Sequence, residues 1–412
     1  MKIAYLIPGS GVSGGIAVIC QHANRLQKRG HDVYLISEVP PTSIEWFPNQ
    51  KVPIIGLKDF PNDLDILIAT GWSTSFHVAD LQARYKFYFV QSDERRFHPE
   101  DSDWYHITTL SYLLNFKYFT EAKWIQKWLL EDFGHKAELI ANGLDPELFH
   151  PAKPYIPKTR KPRILLEGSI TLPYKGMDLA FEVVRELDAE VWCVSSHGRP
   201  KPGWKVNRFF EQIDMTDMKH IYSSCDILLK LSRVEGFPCP PMEMMACGGV
   251  CVVGDVKGYD EYIVPDYNAL VVDPFDIEGA RIAIKRILSD RVLRQTLIRN
   301  GFETAKRWQW EPSVDLLEKY FKLVTTNKIE MKTSKIHQSI DTSISYFYHH
   351  LRADAPKNPI DLTIQRIGTI KWFRTLVAKT SKLYNGFKIF KRYIFEKFKI
   401  RECKSGSLTP RL

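Results

Sequence analysis

Two carboxylates stand eight residues apart in SRVEGFPCPPMEMMACGG (232–249): Glu235 and Glu243, with three prolines between them. Upstream, CDILLKLS (225–232) is a short apolar run of strand type. Downstream, Pro241 suits a first helical position, which predicts Glu243 in the first turn of a helix. One carboxylate then lies on the loop leaving a strand and the other on the helix that begins there. In an open parallel sheet that edge is where ligands bind. The helix N-terminus adds unpaired N–H groups and a positive dipole end, both suited to phosphate. Two acceptors for sugar hydroxyls beside a phosphate cradle suit a nucleotide sugar. The spacing alone is also met by a capped helix with an incidental acidic loop residue.

The surrounding pattern is the kind that builds such an edge. Residues 2–37 read as a βαβ unit: KIAYLI, a glycine loop GSGVSGG, an amphipathic helix over 16–30, then DVYLIS. In the helix, Ile16, Ile19, Cys20, Ala23 and Leu26 recur at spacings of three and four, which is one helical face. DILIAT (65–70) and KFYFVQ (86–91) are further strand candidates, and SYLLNFKYFT (111–120) reads as helical. KPYIPKTRKPR (153–163), rich in proline and charge, marks a linker. A second series follows: ILLEGS, a helix from Met177 to Leu187, AEVWCVSS, CDILLKLS, VCVVGD and ALVVDP, closed by helices from Ile277 to about Leu323. Two α/β domains joined by a linker leave a cleft between them, a common home for a ligand.

Charge separates the globular part from a tail. From Glu330 to Leu412 there are 17 Lys/Arg against 6 Asp/Glu, a net +11, whereas the rest carries 40 against 42, a net −2. A nucleic-acid binder would spread its basic charge over the domain surface, so this distribution argues against that class. Residues 364–402 mix Lys/Arg with Trp, Phe, Tyr and Ile at helical spacing, which suits an anionic membrane surface. A basic helix docked on the protein's own core or on a partner fits the same pattern. No apolar run reaches 18 residues, so no membrane-spanning helix is expected. The opening MKIAYLIPGSG reads as a first strand and not a signal core. Seven cysteines with no C-x-x-C pair fit reduced thiols in the cytoplasm, and no His/Cys cluster has metal spacing.

EGFPCPPMEMMACG resembles the E-x7-E signature of retaining nucleotide-sugar glycosyltransferases of the GT-B fold, family 4, including polysaccharide- and rhamnose-transferring members. KIAYLIP, RGHDVYLIS, NGLDPELFHP and Lys175-Gly176 fall in the order that family uses, so the resemblance spans about residues 1–325. It implies two Rossmann-like domains facing each other across a cleft, to which the charge pattern adds a basic helical tail. The expected division is an acceptor domain (1–152), a donor domain (153–305), a helix crossing back to the first domain (306–329) and the tail (330–412). The implied reaction moves a sugar from a nucleotide diphosphate to an acceptor hydroxyl with retention, without a metal or other cofactor. The implied partners are the nucleotide sugar and a glycan or lipid-linked acceptor at the inner face of the membrane.

Glycosyl transfer needs a held sugar, a stabilised leaving diphosphate and a positioned acceptor. By the resemblance, Lys175 grips the diphosphate, Glu243 accepts from the ribose hydroxyls, and Glu235 faces the transferred sugar. The N–H groups of Gly236 and Phe237 point toward sugar and phosphate, and Gly14 and Gly15 form the glycine loop near the diphosphate. Cations aimed at a departing diphosphate lower its barrier. Ser169 stands where the family often has an arginine, so Arg233 is the nearest candidate to replace it, or leaving-group stabilisation is weaker. The segment 87–98 looks like a Q-x-x-E variant of the family's histidine site. There Asp93 or Glu94 could orient the acceptor hydroxyl as a base, or could form an acidic loop paired with Arg95 and Arg96. Base recognition is expected around 195–199 and 211–213. Two other classes stay in view. One is a catalytically weak sugar-nucleotide-binding or assembly subunit of a glycan-synthesis complex, suggested by Ser169 and by the missing histidine. The other is an NAD-dependent oxidoreductase, because Gly9, Gly11 and Gly14 satisfy G-x-G-x-x-G with Glu38 ending the next strand.

Overall fold

The computed structural model describes residues 1–40, 43–326 and 341. The expectations for the tail, the membrane-facing segment 364–402 among them, lie outside the described residues, as does Cys403. Two parallel sheets carry the fold. The first holds β1 (Lys2–Ile7), β2 (Asp32–Ser37), β3 (Ile54–Gly56), β4 (Ile66–Ala69), β5 (Tyr85–Val90), β6 (Lys117–Thr120) and β7 (Ala137–Leu139). Their order is β3-β2-β1-β4-β5-β6-β7. The second holds β8 (Arg163–Glu167), β9 (Glu190–Ser195), β10 (Arg208–Glu211), β11 (Ile227–Lys230), β12 (Val250–Gly254) and β13 (Leu270–Val272). Its order, β10-β9-β8-β11-β12-β13, also reverses direction beside its first strand. Such a switch point opens a crevice at the strands' carboxyl ends.

Helices cover both sheets. In the first half these are α1 (Gly14–Lys28), α2 (Trp72–Asp80), α3 (Asp103–Ser111) and α4 (Lys123–Phe133). In the second they are α5 (Met177–Val184), α6 (Met215–Ser224), α7 (Cys239–Ala246), α8 (Ile277–Ser289) and α9 (Arg291–Arg307). A last helix, α10 (Trp310–Thr326), buries Trp310, Val314, Leu317 and Phe321 in the core of the first half, beside Ile19, Ala23 and Phe87. Its other face is pinned by charge: Arg29 reaches Glu311 at 2.8 Å and Asp315 at 2.7 Å. The chain therefore passes between the halves twice. The passes touch, since Leu144 N–H donates to Trp308 O at 2.9 Å. A Cβ added to Gly143 would come within 2.4 Å of the Trp310 nitrogen.

Three local expectations need correction. Within 111–120, only Ser111 is helical, as the end of α3; Lys117–Thr120 forms β6, an interior strand whose Tyr118 and Phe119 suit a pleated, buried surface better than a helix. The helix expected to reach Leu187 ends at Val184. The helix after Glu235 begins at Cys239, so the proline at its start is Pro240, and Glu243 lies in the second turn. That earlier start still uses proline's fixed φ at the first helical positions. The six described cysteines are unpaired thiols.

Candidate active site

Glu235 leaves β11 on a short loop and carries two ammonium groups. Lys175 Nζ donates to both of its oxygens, at 2.9 and 3.0 Å. Lys230, the last residue of β11, stands 3.7 Å from Oε1. Burial alone would raise the Glu235 carboxyl, but the two lysines outweigh it and hold the group down at about 2. It is an anion at any physiological pH. Lys175 is placed by a 3-10 turn over 173–175, and the turn ends at Gly176 with φ of 63°. A Cβ at Gly176 would lie 1.9 Å from Leu231 O, so glycine there lets the turn press against the end of β11.

Lys230 was not foreseen from the sequence. Its side chain is 5% exposed and donates to Glu167 Oε2 at 2.7 Å and to the Glu167 carbonyl at 3.3 Å. Burial disfavours the ammonium, yet Glu167 and Glu235 more than restore it, so its pKa is raised. A charge inside the apolar run ILLKL (227–231) is the signal that could have found it, because a buried charge requires a partner. Glu167 ends β8, the strand beside β11, and the register pairs Leu166 with Leu229.

Glu243 faces a cavity of about 160 Å³ lined from the first half by Ser13, Gly14 and Trp46, and from the second by Glu167, Ser195 and Gln212. Tyr222 Oη donates to Glu243 at 2.7 Å. Burial pushes the Glu243 carboxyl up to about 7, opposed by the Tyr222 hydrogen bond. Ser196 and Ile213 also line the cavity, which puts both segments expected to read the base at its wall. Gly14 borders the same space, while Gly15 packs on the Gln91 side chain, 3.1 Å from where its Cβ would be. Phe237 lines the cavity and packs on Tyr262 and Trp308 at ring separations of 5.2 and 5.3 Å.

Gly236 is where the halves meet. A Cβ there would fall 1.7 Å from Gln91 O and 3.0 Å from Glu121 Oε1. Trp124 Nε1 donates to Gly236 O at 2.7 Å, and Arg96 donates to Arg233 O at 3.1 Å. Glu121, unnoticed in the sequence, is buried under this contact and accepts from Asn142 at 2.8 Å; burial lifts its carboxyl to about 8.

The remaining candidates are placed otherwise. Ser169 is buried, its Oγ 3.0 Å from Thr171 Oγ1. The Arg233 guanidinium is drawn to Asp178 at 3.0 Å and lies over Phe275, so it does not join Lys175 at Glu235. Asp93 is held in a two-point pair by Arg95 at 2.7 and 2.9 Å. Glu94 accepts from the Trp72 N–H at 2.7 Å at the start of α2, and burial raises its carboxyl to about 7. Glu38 accepts from Ser73 at 2.8 Å and lies 3.3 Å from His77, so its carboxylate is engaged with α2.

Residues 204–304 match the family described as glycosyl transferases group 1. The matched segment contains Glu235 and Glu243. The chain is 24% identical over 204 residues to the uncharacterized glycosyltransferase MJ1178 of Methanocaldococcus jannaschii, covering 47% of this chain and 55% of that protein. It is 24% identical over 264 residues to the O-antigen biosynthesis protein RfbC of Myxococcus xanthus, covering 62% of this chain and 20% of that one. The chain thus spans about half the length of the first relative and a fifth of the second. Among solved structures, HepE of Anabaena in complex with UDP and glucose superposes with a TM-score of 0.64 at 14% identity, covering 78% of this chain and 99% of that one. The architecture is that of the GT-B fold: two Rossmann-like halves facing a shared cleft.

Proposed function

We propose that this chain transfers a glycosyl group from a nucleotide-diphosphate sugar to an acceptor hydroxyl, with retention of configuration, in the synthesis of a surface polysaccharide or O-antigen-type glycan. The observation that carries the reading is Glu235, ionised between Lys175 and Lys230, joined through the Lys230–Glu167 pair to the cavity that Glu167 and Glu243 both line. Glu243 accepts hydrogen bonds from the ribose, and Lys175 turns from Glu235 to the diphosphate as negative charge develops on it. Glu235 then faces the sugar as an acceptor of its hydroxyl hydrogens. The departing phosphate takes the acceptor's proton, so no metal is required of the protein. The acceptor reading extends to a lipid-linked glycan at the inner membrane face, reached through residues 364–402.

The test is transfer itself. Purified protein is incubated with UDP-, GDP-, dTDP-, ADP- and CMP-sugars and a lipid-linked or glycan acceptor, and the product's anomeric configuration is read by NMR. A product that keeps the donor configuration supports the reading; inversion overturns the retaining mechanism. A subunit that binds nucleotide without turnover is the second reading, favoured by Ser169 in place of a cation. Tight nucleotide binding with no product from any donor would select it.

A further inference from the structure

We propose that Lys230 is a positioning residue for Glu235, a fixed counter-ion that keeps this carboxylate in place and charged when Lys175 turns to the donor's diphosphate. The inference rests on the donor-site reading above. Its basis is the unequal setting of two ammonium groups around one carboxylate. Lys175 sits on a turn with its side chain 24% exposed and binds both Glu235 oxygens. Lys230 ends a strand with its side chain 5% exposed, and Glu167 holds it from the far side at 2.7 Å. An entering diphosphate can reach the first and not the second.

The other ionisable groups around Glu235 make the fixed cation necessary. Glu121 approaches from the first half, Tyr174 from the 3-10 turn, and Cys239 from the start of α7. None of them is a cation, and Glu121 is a second acid. Beyond Lys230, Glu167 and Glu243 add two more carboxylates to the array. Arg233 is spent on Asp178, and position 169 holds a serine. If Lys175 shifted alone, Glu235 would be a buried carboxylate with an acid neighbour, which takes up a proton instead of staying charged. Lys230 prevents this without leaving β11. Glu167 in turn keeps an ammonium tolerable inside an apolar strand and fixes where it points.

The experiment reads Glu235 directly in the full-length chain. Glutamate is labelled with 13C at Cδ, the Glu235 resonance is assigned by its loss in Glu235→Gln, and pH is varied from 4 to 9 with and without saturating inorganic pyrophosphate. Removing Lys230 alone would strand Glu167, so the main variant is Lys230→Met with Glu167→Gln, and Glu167→Gln alone is the control. The wild type and the control are expected to keep Glu235 ionised across the range in both conditions. With pyrophosphate, the double variant is expected to titrate Glu235 inside this range, with a midpoint at or above pH 5, so that at pH 4 the protonated form exceeds the ionised form at least tenfold. The acid limb of the transfer rate moves up in parallel. Lys230→Gln with Glu167→Gln provides the same reading if the first double variant does not fold. An unchanged Glu235 titration with pyrophosphate in the Lys230 variants would overturn the proposal, as would an equal change in Glu167→Gln alone. A wild type that shows the expected titration yet transfers no sugar would defeat the glycosyl-transfer reading and leave the role of Lys230 standing.

Discussion

The two halves share a plan and differ in what stands at their strand ends. In the first sheet the polar groups there are consumed locally: Asp93 by Arg95, Glu94 by the start of α2, Glu38 by Ser73 and His77. In the second, Glu167, Lys175, Lys230 and Glu235 form one continuous array, with Glu243 at the adjoining cavity. The cores differ as well. The first packs Phe87, Phe89, Phe119 and Phe321 ring on ring, whereas the sheet face under α5 and α8 is almost wholly aliphatic. The strand ends of one sheet thus hold groups engaged within their own half, and those of the other hold the charged array. A shared topology does not distribute the chemistry evenly.

The comparison is broken most directly at Glu235. Glu235→Gln should lower transfer ~100- to 1,000-fold, the scale seen when a preorganised electrostatic group is lost, while nucleotide affinity stays within about threefold. Kinetics beside titration calorimetry would show this, and retained turnover would move the chemistry elsewhere. Next in size, Glu243→Ala should weaken nucleotide binding by ~10- to 100-fold, since hydrogen bonds to a charged group contribute ~1.5–3 kcal/mol. Because burial raises Glu243 to about 7, wild-type affinity should also climb as pH rises from 5.5 to 8.5, and that slope should vanish in Glu243→Ala.

Smaller effects test the structural role of the first half. Glu94→Gln should lower stability by about 1 kcal/mol, the usual worth of a helix-start acceptor, and lower transfer less than tenfold. A loss of 1,000-fold would instead make Glu94 an acceptor base. A separate effect is on stability against pH. Burial raises Glu94, Glu121 and Glu243 to about 7, 8 and 7, above an ordinary 4.5. The stability tied to their protonated forms is complete below pH 4.5 and is lost as pH rises through 7 to 8. The melting temperature of the ligand-free protein should therefore fall between pH 5.5 and 8.5. Glu235, held low, has the opposite dependence, confined to acid below pH 4.5.

What could be read from the chain follows from how far apart the cooperating residues lie. Glu235, Gly236, Phe237 and Glu243 share one loop and one helix, so their grouping was visible in EGFPCPPMEMMACG before any coordinates. Even there, consecutive prolines hid which one begins the helix, and Glu243 sits a turn later than spacing suggests. Lys230 and Glu167 are 63 residues apart and meet only through the β8–β11 register, so neither announced the other. Glu121 depends on two halves closing at Gly236, a contact with no local signature. The aromatic run ending in KYFT fits helix and strand patterns alike, and its place between β5 and β7 decides the matter.

The most direct test of the donor site is a thermal-shift measurement with UDP, GDP, dTDP, ADP and CMP on the wild type and on Glu243→Ala. A nucleotide at 100 times its Kd stabilises the folded state by about 2.7 kcal/mol. The account predicts a clear rise in melting temperature for one nucleotide in the wild type and its loss in Glu243→Ala. No rise with any of them in a folded protein, or the same rise in both proteins, would contradict it.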